Sequence, residues 1–254
     1  MNTERIYVAT FSEDAVNVIR QHKVNIELNH LCISEHLNED KIQGTLAEMN
    51  ADVDASGAKG IIVHGPFTEL APGSIDLRAV QLMTDRLNEA YQVCCALKVK
   101  RMVVHSGYIP LLYHKGWHQD RSLEFWPKFM ADKPEDFQLL IENVFEDEPH
   151  MMKKLVEGIG DSRVKLCLDV GHANAMTCPD LNVLDWIRIL GKDVSHLHIH
   201  NNDGKNDLHR PLMDGSLNME AVLAAIDEFC GADTTMTIES STCATSVEWL
   251  LNQK

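Results

Sequence analysis

Residues 194–215 read VSHLHIHNNDGKNDLHRPLMDG and hold four of the chain's thirteen histidines, with carboxylates spaced among them. His196, His198 and His200 alternate with Leu197 and Ile199. Side chains along a strand point to opposite faces in turn, so one face would be imidazole and the other apolar. The Gly/Asn/Asp run that follows signals a turn. Asp207-Leu208-His209 then adds a second carboxylate–imidazole pair on the loop. One histidine at a strand end is simply a polar residue. Several on one face, followed by Asp-x-His, are what a divalent-metal site requires.

Carboxylates inside apolar runs make the same point elsewhere. Glu142 lies in LLIENV, Asp169 in LCLDV and Glu239 in MTIES. A carboxylate among apolar neighbours is costly unless it is paired or bound to a cation. A single one is commonly a structural ion pair; three at strand ends are better explained by a shared cation. Glu27 in NIEL suits a substrate contact and a structural pair equally. His30, His36, His114, His118 and His150 fall on expected loops or helices and read as solvated. Oxygen and imidazole ligands without thiolate suit Zn, Mn, Fe or Co better than Mg or Ca.

The elements that must position these groups alternate from end to end. Strand-like runs occupy 6–11, 24–28, 60–64, 101–105, 137–144, 164–170, 194–200 and 235–239. Helical patterns occupy 15–21 (with Ser12 offered as N-cap), 38–55, 76–98, part of 106–134, 151–158, 181–190, 219–229 and 246–251. In 76–98, the residues Ala79, Met83, Leu87, Ala90, Cys94 and Leu97 form one apolar face. Eight strands alternating with helices, with no linker, predict a single (β/α)8 TIM barrel over residues 1–254, a length typical of that fold. An open doubly wound sheet is the alternative, weakened by the absence of G-x-G-x-x-G after the first strand.

In such a barrel the C-terminal strand ends converge on one mouth, where active sites are built. His64 ends the third strand and His105 the fourth. Glu142 is near the end of the fifth, and Asp169 and His172 follow on the sixth. His198, Asp207 and His209 belong to the seventh and its loop, and Glu239 ends the eighth. Taken singly, His64 before Gly-Pro and His105 before Ser-Gly are also ordinary turn residues. The aromatics Phe67, Trp117 and Trp126 are candidates to wall the pocket.

The formal net charge of −15 counts against extended nucleic-acid binding, which needs Lys and Arg on phosphates, although a local basic groove stays open. Seven cysteines, an odd number without C-x-x-C, suggest neither a disulfide framework nor a thiolate zinc site. Reduced thiols fit a cytoplasmic protein. The N-terminal MNTERIYVATF is not expected to be a signal peptide, and no run approaches a membrane span.

The motifs VHGPF, VVHSG, LIENV, CLDVGHAN, HLHIHNNDG, DLH and TIES, in this order from about Gly60 to Glu239, resemble the xylose isomerase-like barrels. That superfamily includes sugar-phosphate isomerases and epimerases and the apurinic/apyrimidinic endonuclease IV. The resemblance to the isomerases implies one metal on Glu142, Asp169, His198 and Glu239. The resemblance to endonuclease IV implies three zinc ions: on His64, His105 and Glu142; on Glu142, Asp169, His198 and Glu239; and on His172, Asp207 and His209. Two departures stand out. Asn201 replaces the usual Asp after the seventh-strand motif. The epimerases' substrate-binding Arg has no counterpart nearer than Arg210.

Two mechanisms follow. In an isomerase or epimerase of a sugar or sugar phosphate, the metal would stabilise an enediolate while Glu142 and Glu239 remove and return a proton. In a phosphoesterase, two or three metals would activate water and neutralise phosphate oxygens. Composition and length favour the first, ligand count the second, and the expectation adopted is the first. A non-catalytic metal-binding barrel is a third alternative.

Overall fold

The computed structural model describes residues 2–253. Its strands are β1 Ile6–Ala9, β2 Asn25–Leu28, β3 Ile61–His64, β4 Arg101–His105, β5 Gln138–Glu142, β6 Val164–Asp169, β7 Val194–Ile199 and β8 Thr235–Ile238. Each pairs in parallel with the next, and β8 closes on β1 with Tyr7 opposite Thr237. That closure settles the architecture as a (β/α)8 barrel and excludes the open sheet. The helices are α1 Ala15–His22, α2 Ile42–Ser56, α3 Leu77–Leu97, α4 Lys115–Met130, α5 Pro149–Ile159, α6 Val170–Met176, α7 Val183–Leu190, α8 Met219–Phe229 and α9 Ala244–Leu251. Among the described residues no helix is long and apolar enough to cross a membrane.

Strands covered on both faces must be apolar on both, which is why the runs are nearly continuous. Tyr7, Ile62, Val103, Leu140 and Cys167 form a small cluster of their own, one from each of five strands. Their neighbours in sequence, such as Val8, Val63, Met102, Ile141 and Leu166, belong to the large core under the helices. Arg101 ties three strands together, bonding Gln138, Thr235 and the Ser195 carbonyl at 3.0–3.1 Å.

The departures from the expected elements have local causes. β5 stops at Glu142 because Asn143 leaves the ladder: its side chain bonds the carbonyl and N–H of Asp169, at 3.0 and 2.9 Å. β6 runs straight into the unexpected helix α6, whose first turn is capped by the Asp169 carboxylate accepting from His172 N–H at 2.7 Å. A 3₁₀ turn at Ser34–Leu37 precedes α2, which starts at Ile42, not at residue 38. Pro149, whose fixed φ suits a first helical position, starts α5 two residues early. Ser12 caps no helix: its hydroxyl bonds the Ser240 carbonyl, and Asp14 flanks α1, its carboxylate accepting from the N–H groups of Cys243 and Ala244.

Candidate metal centre

At the C-terminal end of the barrel lies a cavity of about 690 Å³, lined by His64, His105, Glu142, His172, Asp207, His209 and Glu239 among others. Asp169 and His198 lie behind them, both wholly buried. Parallel closure brings this about, because every strand ends on the same rim.

Glu142 is the hub. Its Oε2 is 3.2 Å from His64 Nε2 and 3.5 Å from His105 Nε2. Its Oε1 is 3.3 Å from both His172 Nδ1 and His198 Nδ1. His198 Nδ1 also lies 3.4 Å from Glu239 Oε2 and 3.9 Å from Asp169 Oδ2. Asp207 Oδ2 lies between His172 Nε2 at 3.3 Å and His209 Nε2 at 3.2 Å. Three convergent groups of cavity residues result, His64–His105–Glu142, Glu142–Asp169–His198 and His172–His200–Asp207–His209, with two further buried groups, Glu27–His64–His198 and Cys167–His196–His198, beside them. His209 reaches its place from a left-handed backbone, with φ at 44°.

The outer nitrogens of these rings are fixed. An imidazole nitrogen facing a carbonyl can only donate to it. His64, His172 and His209 each hold a backbone carbonyl through Nδ1, those of Gly65, Asn143 and Glu239, at 2.8–2.9 Å. This leaves Nε2 of each pointing at the cluster. His198 is reversed: Nε2 donates to Glu27 Oε1 at 3.0 Å, so Nδ1 faces the carboxylates. A ring whose far N–H is tied to a carbonyl or carboxylate is the arrangement metal-ligating histidines adopt. His198 Nδ1, Asp169 Oδ2 and both ring nitrogens of His200 are buried without a hydrogen-bond partner. Unsatisfied buried polar atoms cost about 1–3 kcal/mol each. A cation satisfies such atoms together, so donor set and geometry fit a divalent ion.

Electrostatics point the same way. Burial alone would push the Glu142 carboxyl up, yet the imidazoles of His198, His105 and His172 hold it well below the usual range. Burial opposes charge on His172, but Asp169, Asp207 and Glu142 raise it well above an ordinary histidine. His209 rises to about 9 against its burial, through its bond to Asp207 and the charge of Glu239. His105 is pushed down to about 3 by burial. Burial raises Glu239, the His198 charge opposes this, and Glu142 and Glu27 reinforce it. Without an ion, imidazolium supplies the positive charge the carboxylates need. A bound cation takes over that role and displaces those protons.

The structure thus brings together all nine residues of the expected ligand set. It places four other candidates away from the cavity. Trp126 is wholly buried in the core against Phe125 and Phe129, because α4 turns its apolar face inward. Trp117 lies in an outer groove between α3 and α4, with Nε1 bonded to the Gly73 carbonyl and Arg121 over its ring. Arg210 pairs through its backbone with Asn201, and its side chain turns toward Asp214. Glu27 does not line the cavity; it is buried beneath His198 and accepts also from His196 Nε2 and Thr237 Oγ1, at 3.1 and 2.5 Å. Of the proposed walls only Phe67 belongs, stacked on His105 with ring centroids 3.9 Å apart. Phe11, Asn29, Thr68, Tyr108 and Phe145 also line the cavity; they sit on loops with no period to mark them. His200 was marked by the alternation in β7 but omitted from the ligand set. His118, read as solvated, is buried beside Tyr108 and Tyr113, and His30 and His36 are half-buried. His114 and His150 are exposed as expected.

A family model described as xylose isomerase-like TIM barrel matches residues 26–252. An uncharacterized protein of Methanocaldococcus jannaschii is 27% identical over 197 residues, covering 74% of this chain and 67% of that protein. A probable endonuclease 4 of Mycobacterium leprae is 24% identical over 193 residues, covering 70% of this chain and 72% of that protein. A solved structure described as a D-tagatose 3-epimerase-like protein aligns with a TM-score of 0.78 at 23% identity, covering 97% of this chain and 96% of that one.

Proposed function

The chain belongs to the xylose isomerase-like TIM-barrel family, and on that premise we propose that it is a divalent-metal-dependent hydrolase of small phosphate esters. The observation that carries this reading is Glu142, whose Oε2 faces Nε2 of His64 and His105 while its Oε1 faces the unpartnered Nδ1 of His198. A general base needs an oxygen free to take a proton. A carboxylate engaged on both sides suits a bridge between two cations. Bridged cations would supply Lewis acidity to a phosphoryl group and lower the pKa of an attacking water. Glu239, which lines the cavity, would hold the proton that leaves that water. Asn29 and Thr68 offer polar contacts to the alcohol portion, and Phe11, Phe67 and Phe145 exclude bulk water. Among the described residues no Lys or Arg lines the cavity, so neutralising a phosphate would fall to the cations. That, with a net charge of −15, favours a small ester over a long polyanion.

A second reading is the isomerase or epimerase of a sugar or sugar phosphate. It is favoured by Glu142 and Glu239 both reaching the cavity, where they would remove and return a proton on either side of the substrate. Metal counting on the purified protein, with turnover of bis(p-nitrophenyl) phosphate, p-nitrophenyl phosphate and free ketoses, separates the two. The hydrolase predicts two or three ions per chain and phosphoester cleavage. One ion per chain with ketose epimerisation and no phosphoester cleavage would overturn it in favour of the second reading.

A further inference from the structure

We propose that His200 is a metal ligand, and that with His172, Asp207 and His209 it closes a four-residue site whose ion anchors the barrel rim and does not activate water. This rests on the metal reading above and goes beyond it, since the three-ligand version of this site leaves an open position. The candidate ligand atoms of these four residues lie within 4.8 Å of one another. His200 Nε2 is 3.6 Å from Asp207 Oδ1, and its ring stacks on His209 with centroids 4.0 Å apart. Nε2 also comes within 3.2 Å of Asp169 Oδ1, but out of line for a hydrogen bond.

His200 is wholly buried, and among the described residues neither of its ring nitrogens has a hydrogen-bond partner, although Nε2 faces the Asp169 and Asp207 carboxylates. Buried polar atoms in native proteins are nearly always satisfied, so two orphans on one ring call for a ligand. The chain also makes room for this ring. A Cβ on Gly171 would stand 2.0 Å from His200 Cε1, so only glycine can underlie it there. Asn202 holds that glycine in place through a 2.8 Å bond to its carbonyl.

Four protein ligands complete the tetrahedral shell of zinc or cobalt, whereas sites that activate water keep one position open. The ion here would pin the Asp207–His209 loop to the ends of β6 and β7. Chemistry would then fall to the two groups that share Glu142.

Cobalt(II) titrated into the ion-free protein, followed by visible absorption and equilibrium dialysis, tests this. The wild type should show one binding step with the intense absorption of a four-coordinate site. His200→Asn and His200→Gln should lose that absorption and weaken that step at least tenfold while keeping the other steps. A folded variant with unchanged absorption and affinity overturns the proposal. Should neither variant fold, nitrogen-15 NMR of the wild type decides: a His200 ring resonance that shifts on zinc addition supports it, and an unmoved one overturns it. A wild type that binds no ion at all would overturn the metal reading of the whole site as well.

Discussion

Glu27 offers a sharp test of how the centre is held. It accepts from His196 Nε2 at 3.1 Å, His198 Nε2 at 3.0 Å and Thr237 Oγ1 at 2.5 Å, all without access to water. Glu27→Gln keeps the shape but offers one acceptor oxygen, and its amide N–H groups face a donor. At least one donor is left unpaired, which costs about 1–3 kcal/mol of stability. His198 is then no longer fixed with Nδ1 toward Glu142, Asp169 and Glu239. Removing such an outer partner typically weakens metal binding about 10–100-fold, or about 1.4–2.7 kcal/mol. Glu27→Ala takes the acceptor from His198 Nε2 and the Thr237 hydroxyl, while His196 Nε2 keeps Thr237 Oγ1 at 2.8 Å, and should lose about 3–5 kcal/mol, the usual result of breaking a buried charge pair. The assay is zinc affinity by chelator competition, run beside urea unfolding of the ion-free protein. A Gln variant that is destabilised as expected yet binds zinc as tightly as the wild type would refute the reasoning, leaving Glu27 a purely structural group.

Glu142→Ala should abolish turnover and lower the metal content by at least one ion per chain, read by elemental analysis; full activity would remove Glu142 from the site. Zinc affinity should depend on pH, since His209 titrates near about 9 without an ion and His172 lies well above an ordinary histidine. Protons bound below those values must leave when the ion arrives, so affinity should rise as pH climbs toward 9, by up to about tenfold per pH unit for each proton displaced. Titrations across pH check this, and a flat profile contradicts it. Trp126→Ala should cost about 3–5 kcal/mol through the cavity it leaves, lowering Tm by roughly 10 °C, with metal content unchanged. Lost metal in a folded Trp126 variant would contradict its place in the core.

The alternation of short apolar runs with helical periods already pointed to a parallel α/β fold, because strands covered on both faces must read that way wherever they occur; the pairing of β8 with β1 is what made it a barrel and not an open sheet. Position along the chain also sufficed for the nine rim residues: a carboxylate or imidazole at a strand's C-terminal end can reach only the mouth of a closed barrel. What lay outside local pattern was any property set by a partner distant in sequence. Glu27 in NIEL is equally consistent with a substrate contact until His196 and His198, on β7, are seen above it. Trp126 and Phe67 are both candidate pocket walls in the sequence; only the structure shows α4 turning Trp126 into the core while the loop after β3 stacks Phe67 on His105. The placement of Glu142 between His64, His105 and His198 and the burial of the His200 ring are likewise products of closure. Strand spacing brings residues to a rim, but the register between strands and the small side chains beneath them determine which atoms face one another.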